Sequence, residues 1–121
     1  MRPLRLSRRH KYNAQKTKVN GHTFDSKAES EYFGLLKLKI RAGEIKYIDV
    51  HPVVSLPGGI RWKLDFFIYY PDGKIEAIDI KGFETQVFKM KQKLFNQFHP
   101  LAPLKVITKK GGSWYADANK I

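Results

Sequence analysis

The stretch that decides the fold is "RWKLDFFIYYPDGKIEAIDIKGF", residues 61–83. Two runs rich in apolar and aromatic residues flank the turn "PDG" at 71–73, a pattern typical of two antiparallel strands. Asp79 and Lys81 stand two residues apart in the second run, so their side chains share one face of that strand. Isoleucines fill the opposite face. An acid therefore stands beside a base within an otherwise apolar strand.

The neighbouring segments extend this pair of strands into a sheet. "IKYIDVHPVVSL" (45–56) predicts a strand that the turn "PGG" joins to "IRWKLDFFIYY" (60–70), so three strands form an antiparallel meander. "LKVIT" (104–108) predicts a final core strand, and "KKGGSWYAD" (109–117) a turn with a short edge strand. These segments predict one sheet with Pro and Gly turns between its strands.

Two helices are predicted beside the sheet. The first is capped by Asp25 or Ser26 and runs to about Ala42, where Gly43 stops it. The second covers residues 84–98, with an apolar side formed by Val87, Phe88, Met90, Leu94, Phe95 and Phe98. The chain order is therefore αβββαβ. We expect an α/β (α+β) fold with a mixed central sheet flanked by helices.

Glu29 falls on the predicted buried stripe of the first helix. At about 100° per residue, Phe33, Leu36 and Ile40 lie close to the same line as Glu29. An acid at this position needs a partner or a metal. Ser26 and Glu29 also form a capping box, in which the Glu29 carboxylate returns to the Ser26 amide. Both roles are compatible with the position on the stripe.

Composition limits the class of protein. A chain of 121 residues without cysteine predicts one domain that has neither disulfides nor thiolate zinc sites. No apolar run is long enough for a membrane span, and the basic N-terminus lacks the apolar core of a secretory signal. We therefore expect a cytoplasmic protein with no membrane partner.

The charge balance predicts a polyanionic partner, because 23 Lys and Arg face 11 Asp and Glu, for a net charge of +12. Residues 1–20 contain no acid and predict a flexible basic arm, followed by a single domain over residues 21–121. Such arms bind phosphates without reading sequence. The candidate DNA-binding residues, in the arm and on the second helix, are Arg5, Arg8, Arg9, Lys11, Lys16, Lys18, Lys89 and Lys93.

Three carboxylates occupy positions where an unpaired charge is costly. Glu29 comes from a helix, and Asp65 and Asp79 come from neighbouring strands. If they converge, their hard oxygen atoms suit magnesium or manganese. Lys81 beside them could stabilise developing charge or steer an attacking water.

These residues resemble the signature of the PD-(D/E)XK, or restriction-endonuclease-like, nucleases. Asp65, Asp79 and Lys81 match its acid, its second acid and its lysine, and Glu29 matches the acid often found on the preceding helix. Leu64 stands where the signature has proline. "KYNAQKTKVNGHTFDSKAESEYF", "IKGF" and "KLF" further resemble small phage-encoded nucleases related to archaeal-type Holliday junction resolvases, over residues 11–107.

The resemblance implies a magnesium-dependent endonuclease in which manganese can replace magnesium. Asp65, Asp79 and the Ile80 carbonyl would bind the ion, and Glu29 would do so directly or through water. Lys81 would orient or activate the water that attacks the phosphodiester, leaving a 5′ phosphate and a 3′ hydroxyl. The implied substrate is a four-way DNA junction. A homodimer would cut it with symmetric paired nicks in the bacterial host cytoplasm.

Two alternatives remain open at this point. One is a structure-specific or nicking endonuclease that acts on flaps or duplex DNA. The other is a non-catalytic DNA- or RNA-binding protein with a nuclease-like fold, which would leave the buried acids unexplained. The histidines show no metal-ligand spacing, so a histidine-metal nuclease is not expected. Trp62, Tyr69 and Tyr70 are expected to pack in the core.

Overall fold

A computed structural model describes residues 17–19, 21–117 and 119–121. The chain divides into two compact units, residues 1–35 and 36–121. The candidate DNA-binding residues Arg5, Arg8, Arg9, Lys11 and Lys16 lie outside the described residues. The division into a basic arm and one domain over residues 21–121 stays a prediction.

The first unit contains a short hairpin. β1 (Thr17–Val19) pairs antiparallel with β2 (His22–Phe24), and Gly21 lies in the turn with a φ of 84°. Phe24 is fully buried, with its ring centroid 5.0 Å from that of Phe33. The segment expected to be the end of a flexible arm is thus a paired strand, which carries an exposed Lys18.

Helix α1 (Lys27–Arg41) begins and ends close to the predicted positions. The Ser26 hydroxyl accepts a hydrogen bond from the Glu29 amide at 3.1 Å, and Gly43 has a φ of 82° just beyond the helix. Phe33 and Leu36 are buried as expected, but Ile40 is 38% exposed. The prediction for Ile40 was wrong because the buried stripe ends one turn before the helix does.

The second unit is built on a six-stranded mixed sheet. Its order is β10-β9-β8-β7-β6-β3, with β7 and β8 parallel and every other neighbouring pair antiparallel. The strands are β3 (Tyr47–Val50), β6 (Phe66–Tyr69), β7 (Ile75–Ile80), β8 (Leu104–Lys110), β9 (Ser113–Ala116) and β10 (Asn119–Lys120). The turn at residues 71–73 closes the β6–β7 hairpin, where the Tyr70 amide donates to the Lys74 carbonyl at 2.9 Å.

β4 (Val53–Leu56) and β5 (Ile60–Lys63) form a separate two-stranded sheet. The prediction of one long strand over residues 45–56 and another over 60–70 was therefore wrong in one respect, because each of these segments forms two short strands. His51 has a φ of 56°, and the following Pro52 has no amide hydrogen to donate. The chain bends there, and Asp65 lies at the corresponding bend between β5 and β6 and not inside a strand.

Pairing nevertheless continues across this bend. The His51 amide donates to the Asp65 carbonyl at 2.9 Å, and the Leu64 amide donates to the Pro52 carbonyl at 2.9 Å. These bonds satisfy backbone groups that the bend would otherwise leave unpaired. The Asp65 backbone is consequently fixed at the start of β6, next to the centre of the main sheet.

Helix α2 (Gln86–Phe98) covers one face of the second unit's core. Thr85 caps it by accepting a hydrogen bond from the Phe88 amide at 3.0 Å. Phe88 and Phe95 are buried against Trp62, with edge-on ring contacts at 5.7 and 6.2 Å. The expected packing role of Trp62 is confirmed.

The apolar side of α2 is narrower than predicted. Val87, Met90 and Phe98 are 54%, 60% and 60% exposed, so the prediction that they belong to a buried side was wrong. Phe88 and Phe95 lie seven residues apart, two helical turns, and with the partly buried Leu94 they form the side of α2 that packs on the core.

The residues described form a mixed α+β structure with a mixed sheet and two helices, as the sequence predicted at this level. Phe66 and Ile78, which pair across β6 and β7, are both fully buried, and Ala77 on the opposite face of β7 is fully buried as well. The centre of the sheet is therefore shielded on both faces. Within the described part of the chain, no helix has the length and apolarity to cross a membrane.

Candidate metal centre and active site

Asp65 and Asp79 are neighbours across the β6–β7 hairpin. Phe66 pairs with Ile78, so the next position in the register sets Asp65 opposite Asp79. Their carboxyl groups are close enough for Asp65 to raise the pKa of Asp79. Asp79 is only 3% exposed, while Asp65 is half-buried. Two acids from one hairpin thus share a small volume at the edge of the core.

The Ile80 backbone holds Asp65 in place. The Ile80 amide donates to Oδ2 of Asp65 at 2.7 Å, a short bond of the kind made to a charged acceptor. This contact uses the Ile80 amide; the expected role of its carbonyl as a metal ligand stays a prediction. The backbone of β7 thereby orients the carboxylate of the preceding strand.

Burial and the second acid both change the titration of Asp79. Burial raises its pKa, the charge and hydrogen bond of Asp65 raise it further, and Lys81 lowers it, with a resulting value of about 7. A buried carboxyl with a perturbed pKa beside a second carboxyl is typical of a functional site. It is also a place where a divalent cation would replace a proton.

Lys81 follows directly after β7 and faces the acid pair. Its Nζ lies 3.3 Å from Oδ2 of Asp79 and 4.9 Å from the ring centroid of buried Phe88. The Lys81 amide donates to the Ile107 carbonyl at 2.9 Å, so pairing with β8 continues one residue past the strand. The ammonium group therefore lies between the acid and an aromatic face, and the Lys81 side chain is 35% exposed.

His51 is a site residue that sequence reasoning missed. A ring nitrogen of His51 and a carboxylate oxygen of Asp65 lie within 4.8 Å of each other. The histidine reaches this position because its left-handed backbone turns the chain at the bend opposite Asp65. The pair is local in space but distant in sequence, so ligand spacing along the chain could not reveal it. Pro52 after His51 was the only sequence signal for a bend.

Glu29 belongs to the other compact unit, where it takes part in a helix cap. It is 3% exposed, and its Oε1 accepts a hydrogen bond from the Asp25 amide at 3.2 Å. The reciprocal bond expected from a capping box therefore goes to Asp25, one residue before Ser26. Glu29 as a metal ligand stays a prediction.

The described candidate DNA-binding residues are all exposed. Lys18 lies on β1, and Lys89 and Lys93 lie one turn apart on α2. Lys89 also lines a cavity that includes Lys81, whereas Lys93 does not. Lys89 on α2 thus shares a cavity with Lys81, the lysine next to Asp79.

The donor set suits a hard cation. Carboxylate oxygens from Asp65 and Asp79 are the ligands that magnesium and manganese prefer, and magnesium is commonly held by one or two carboxylates with waters completing the shell. An ion would also offset the burial and the Asp65 charge that raise the pKa of Asp79. The residues present therefore fit the expected metal.

Comparison with known proteins gives one result. A family model described as "Protein of unknown function (DUF1064)" matches residues 9–112, most of the chain. No curated protein and no solved structure matches the chain.

Proposed function

The chain belongs to the DUF1064 family, and we propose that it is a metal-dependent endodeoxyribonuclease acting on branched DNA. The observation that carries the proposal is the adjacent pair Asp65 and Asp79 with Lys81 3.3 Å from Asp79. A structural ion pair needs one acid and one base. Two adjacent carboxyl groups beside one lysine in a buried place form a ligand set that suits a divalent cation.

The order of the elements supports a restriction-endonuclease-like core. Along the chain, α1 is followed by the antiparallel strands β3, β6 and β7, then by α2 and by β8 parallel to β7. The small sheet of β4 and β5 is an insertion in this order. We propose that the acid pair and Lys81 lie at one end of the two central strands of such a core, with Asp65 just before β6, Asp79 in β7 and Lys81 just after it.

In the proposed reaction Asp65 and Asp79 would hold magnesium, and manganese could replace it. A bound ion supplies a water of lowered pKa and neutralises charge on the phosphate. Lys81 orients the attacking water and stabilises charge that develops on the phosphate oxygens. The water oxygen bonds to phosphorus, the bond from phosphorus to O3′ breaks, and O3′ takes up a proton. The products carry a 5′ phosphate and a 3′ hydroxyl.

The best substrate for this arrangement is a four-way junction cut by a homodimer. Symmetric cleavage of a junction needs two equivalent sites, which a two-fold dimer provides. The net charge of +12 supports contact with several phosphate backbones at once. Recognition would then depend on phosphates and shape more than on base edges.

Cleavage assays test the proposal. Four-way junction, flap, linear duplex and single-stranded DNA are incubated with the protein in magnesium or in chelator. We expect symmetric nicks in the junction that need magnesium and that disappear in Asp79→Ala and Lys81→Ala. Glu44→Ala and Lys46→Ala, which change exposed residues outside the site, serve as matched controls.

Each other outcome selects a different function. Equal cutting of flap or duplex DNA would replace the resolvase by a structure-specific or nicking nuclease. Tight binding of DNA without cleavage in magnesium or manganese would replace the enzyme by a nucleic-acid-binding protein. Light scattering of the protein alone and with junction DNA tests the dimer, and a monomer in both would remove the paired-nick mechanism.

A further inference from the structure

A cavity lies beside Lys81, on the side away from the acid pair's own hairpin. Its volume is about 770 Å³, within the range of roughly 300–1,000 Å³ typical of ligand sites. The loop after β7, helix α2 and strands β8 and β9 supply its walls. Lys81, Phe83, Lys89 and Lys110 contribute cationic and aromatic side chains to these walls. The cavity is large enough for one nucleotide.

The lysines of the wall suit a phosphate. Lys89 and Lys110 come from different elements, and both are exposed. In the ranges that the structure describes, neither forms an ion pair with an acidic side chain. Asp117 also lines the cavity, but its carboxylate accepts a hydrogen bond from the Val106 amide at 3.1 Å. Glu84 is the second acid of the lining, so three lysines face two acids.

Phe83 gives the cavity an aromatic edge. It stands two residues after Lys81 and is 80% exposed, far more than any buried aromatic of the core. A phenylalanine ring in solvent next to lysines is the arrangement that binds single-stranded nucleic acid, where bases stack on aromatic rings and cations hold the backbone. A base inside a continuous duplex is already stacked on both faces, so only an unstacked base can use this ring.

We propose that the cavity and Phe83 form a subsite for one unstacked nucleotide next to the cleaved phosphate. Lys89 and Lys110 bind its phosphate, and the base stacks on Phe83. Unstacked nucleotides occur at branch points, flaps and single strands, so the subsite selects branched DNA over duplex. This inference rests on the proposed function, because it places the strand relative to Asp65, Asp79 and Lys81.

Fluorescence of 2-aminopurine tests the stacking. The base analogue is placed singly at positions around the branch of a four-way junction, and the protein is added in calcium so that binding is read without relying on cleavage. We expect emission to rise at one or two positions beside the branch, because the base leaves its neighbours in the stack. The rise should be lost in Phe83→Ala and kept in Phe83→Tyr.

Cleavage gives a second readout. In magnesium we expect Phe83→Ala to lower the ratio of junction to nicked-duplex cleavage by roughly tenfold to a hundredfold, the range of one lost stacking contact. Lys89→Ala and Lys110→Ala should each reduce the slope of binding against salt by about one phosphate contact. Phe98→Ala is the matched control, since Phe98 is 60% exposed and lies outside the cavity.

The two proposals fail separately. If Phe83→Ala matches Phe98→Ala in fluorescence and in the cleavage ratio, the subsite is wrong while the nuclease stands. If the wild-type protein never cuts DNA, the nuclease is wrong, and the fluorescence in calcium still decides the subsite. Thermal melting of each variant shows that it is folded, which the exposure of Phe83 leads us to expect.

Discussion

The two ends of strand β7 carry two acids in opposite situations. Near its start, Glu76 accepts hydrogen bonds from Lys105 at 2.6 Å and from Tyr70 at 2.5 Å. Burial raises the pKa of Glu76, but these bonds and the nearby lysine charges lower it more, so the net change is downward. At its end, Asp79 is next to another acid, and its pKa is raised to about 7.

The comparison shows that Glu76 is an acid that stabilises the fold, whereas the burial of ionised Asp79 opposes folding. Glu76 has partners that satisfy its charge, so its ionised form favours folding. Asp79 is more deeply buried and yet has less compensation, so its ionised form disfavours folding unless a cation is present. One strand therefore shows what a structural ion pair looks like and what a candidate metal ligand looks like.

The largest expected effect is on catalysis at the Asp79 end. Asp79→Asn keeps the shape of the side chain but removes a charged ligand, and we expect junction cleavage to fall by a thousandfold or more, on the order of losing metal-assisted catalysis. Glu76→Gln should leave the cleavage rate within about twofold, since only a stability contact is changed. Single-turnover cleavage in magnesium measures both. Equal losses in the two variants would contradict the distinction between the acids.

We expect the lysine partners of the two acids, Lys81 and Lys105, to differ in the same way in their effect on cleavage. Lys81→Met removes the ammonium group beside Asp79, and we expect the single-turnover rate to fall roughly a hundredfold with little change in DNA affinity. Lys105→Met removes the partner of Glu76 and should leave the rate nearly unchanged. A pH–rate profile adds a readout that a folding defect would not move. A Lys81→Met enzyme with an unaltered rate would exclude the lysine from the reaction.

We expect the substitutions of Asp79 and Glu76 to change the stability of the protein in opposite directions. Without metal at pH 8, we expect Asp79→Asn to raise the free energy of unfolding by about 1–3 kcal/mol, because a buried charge is removed. Glu76→Gln should lower it by about 1–2 kcal/mol, since a charged hydrogen-bond acceptor is lost. Urea unfolding measures both. A destabilised Asp79→Asn protein would show that the ionised acid is compensated by the fold alone.

The pH dependence of stability is the subtlest test. The folded pKa of Asp79, about 7, exceeds the ordinary value of 3.8, so its contribution to stability is full below about pH 4 and is lost as pH rises through 7. For Glu76 the folded pKa is lowered, so its contribution is present above its ordinary pKa and lost in acid. The difference in unfolding free energy between wild type and Asp79→Asn, measured across pH, gives the contribution of Asp79. The same difference for Glu76→Gln gives the contribution of Glu76. Added magnesium should raise the stability of the wild-type protein at pH 8 and leave the stability of Asp79→Asn unchanged.

Local patterns were enough to predict much of the structure of the described residues. The alternation of residues and the turn at 71–73 predicted the β6–β7 hairpin, and this pairing alone brings Asp65 next to Asp79. Gly43 and Ser26 predicted the ends of α1 because caps depend on one or two residues. The metal-binding and catalytic roles of these residues stay predictions.

The features that sequence could not predict depend on contacts between distant segments. The bend at His51 breaks what reads as a continuous strand, because the choice between a long strand and two short ones depends on what covers it. Val87, Met90 and Phe98 have the spacing of a buried helix face, but the area that the sheet offers decides how much of that face is covered. The link of Glu76 to Lys105 likewise requires β8 to lie beside β7.

The hairpin that joins β6 to β7 also sets an order of assembly. Asp65 and Asp79 meet through local pairing across a short turn, and hairpins of this kind close in about 1–10 μs. The pairing of Asp79 with Val106 on β8 is non-local, because the segment that contains α2 separates the two strands in the chain. We therefore expect the two carboxylates to come together during folding while still in water, and the burial that raises the pKa of Asp79 to follow as a later step.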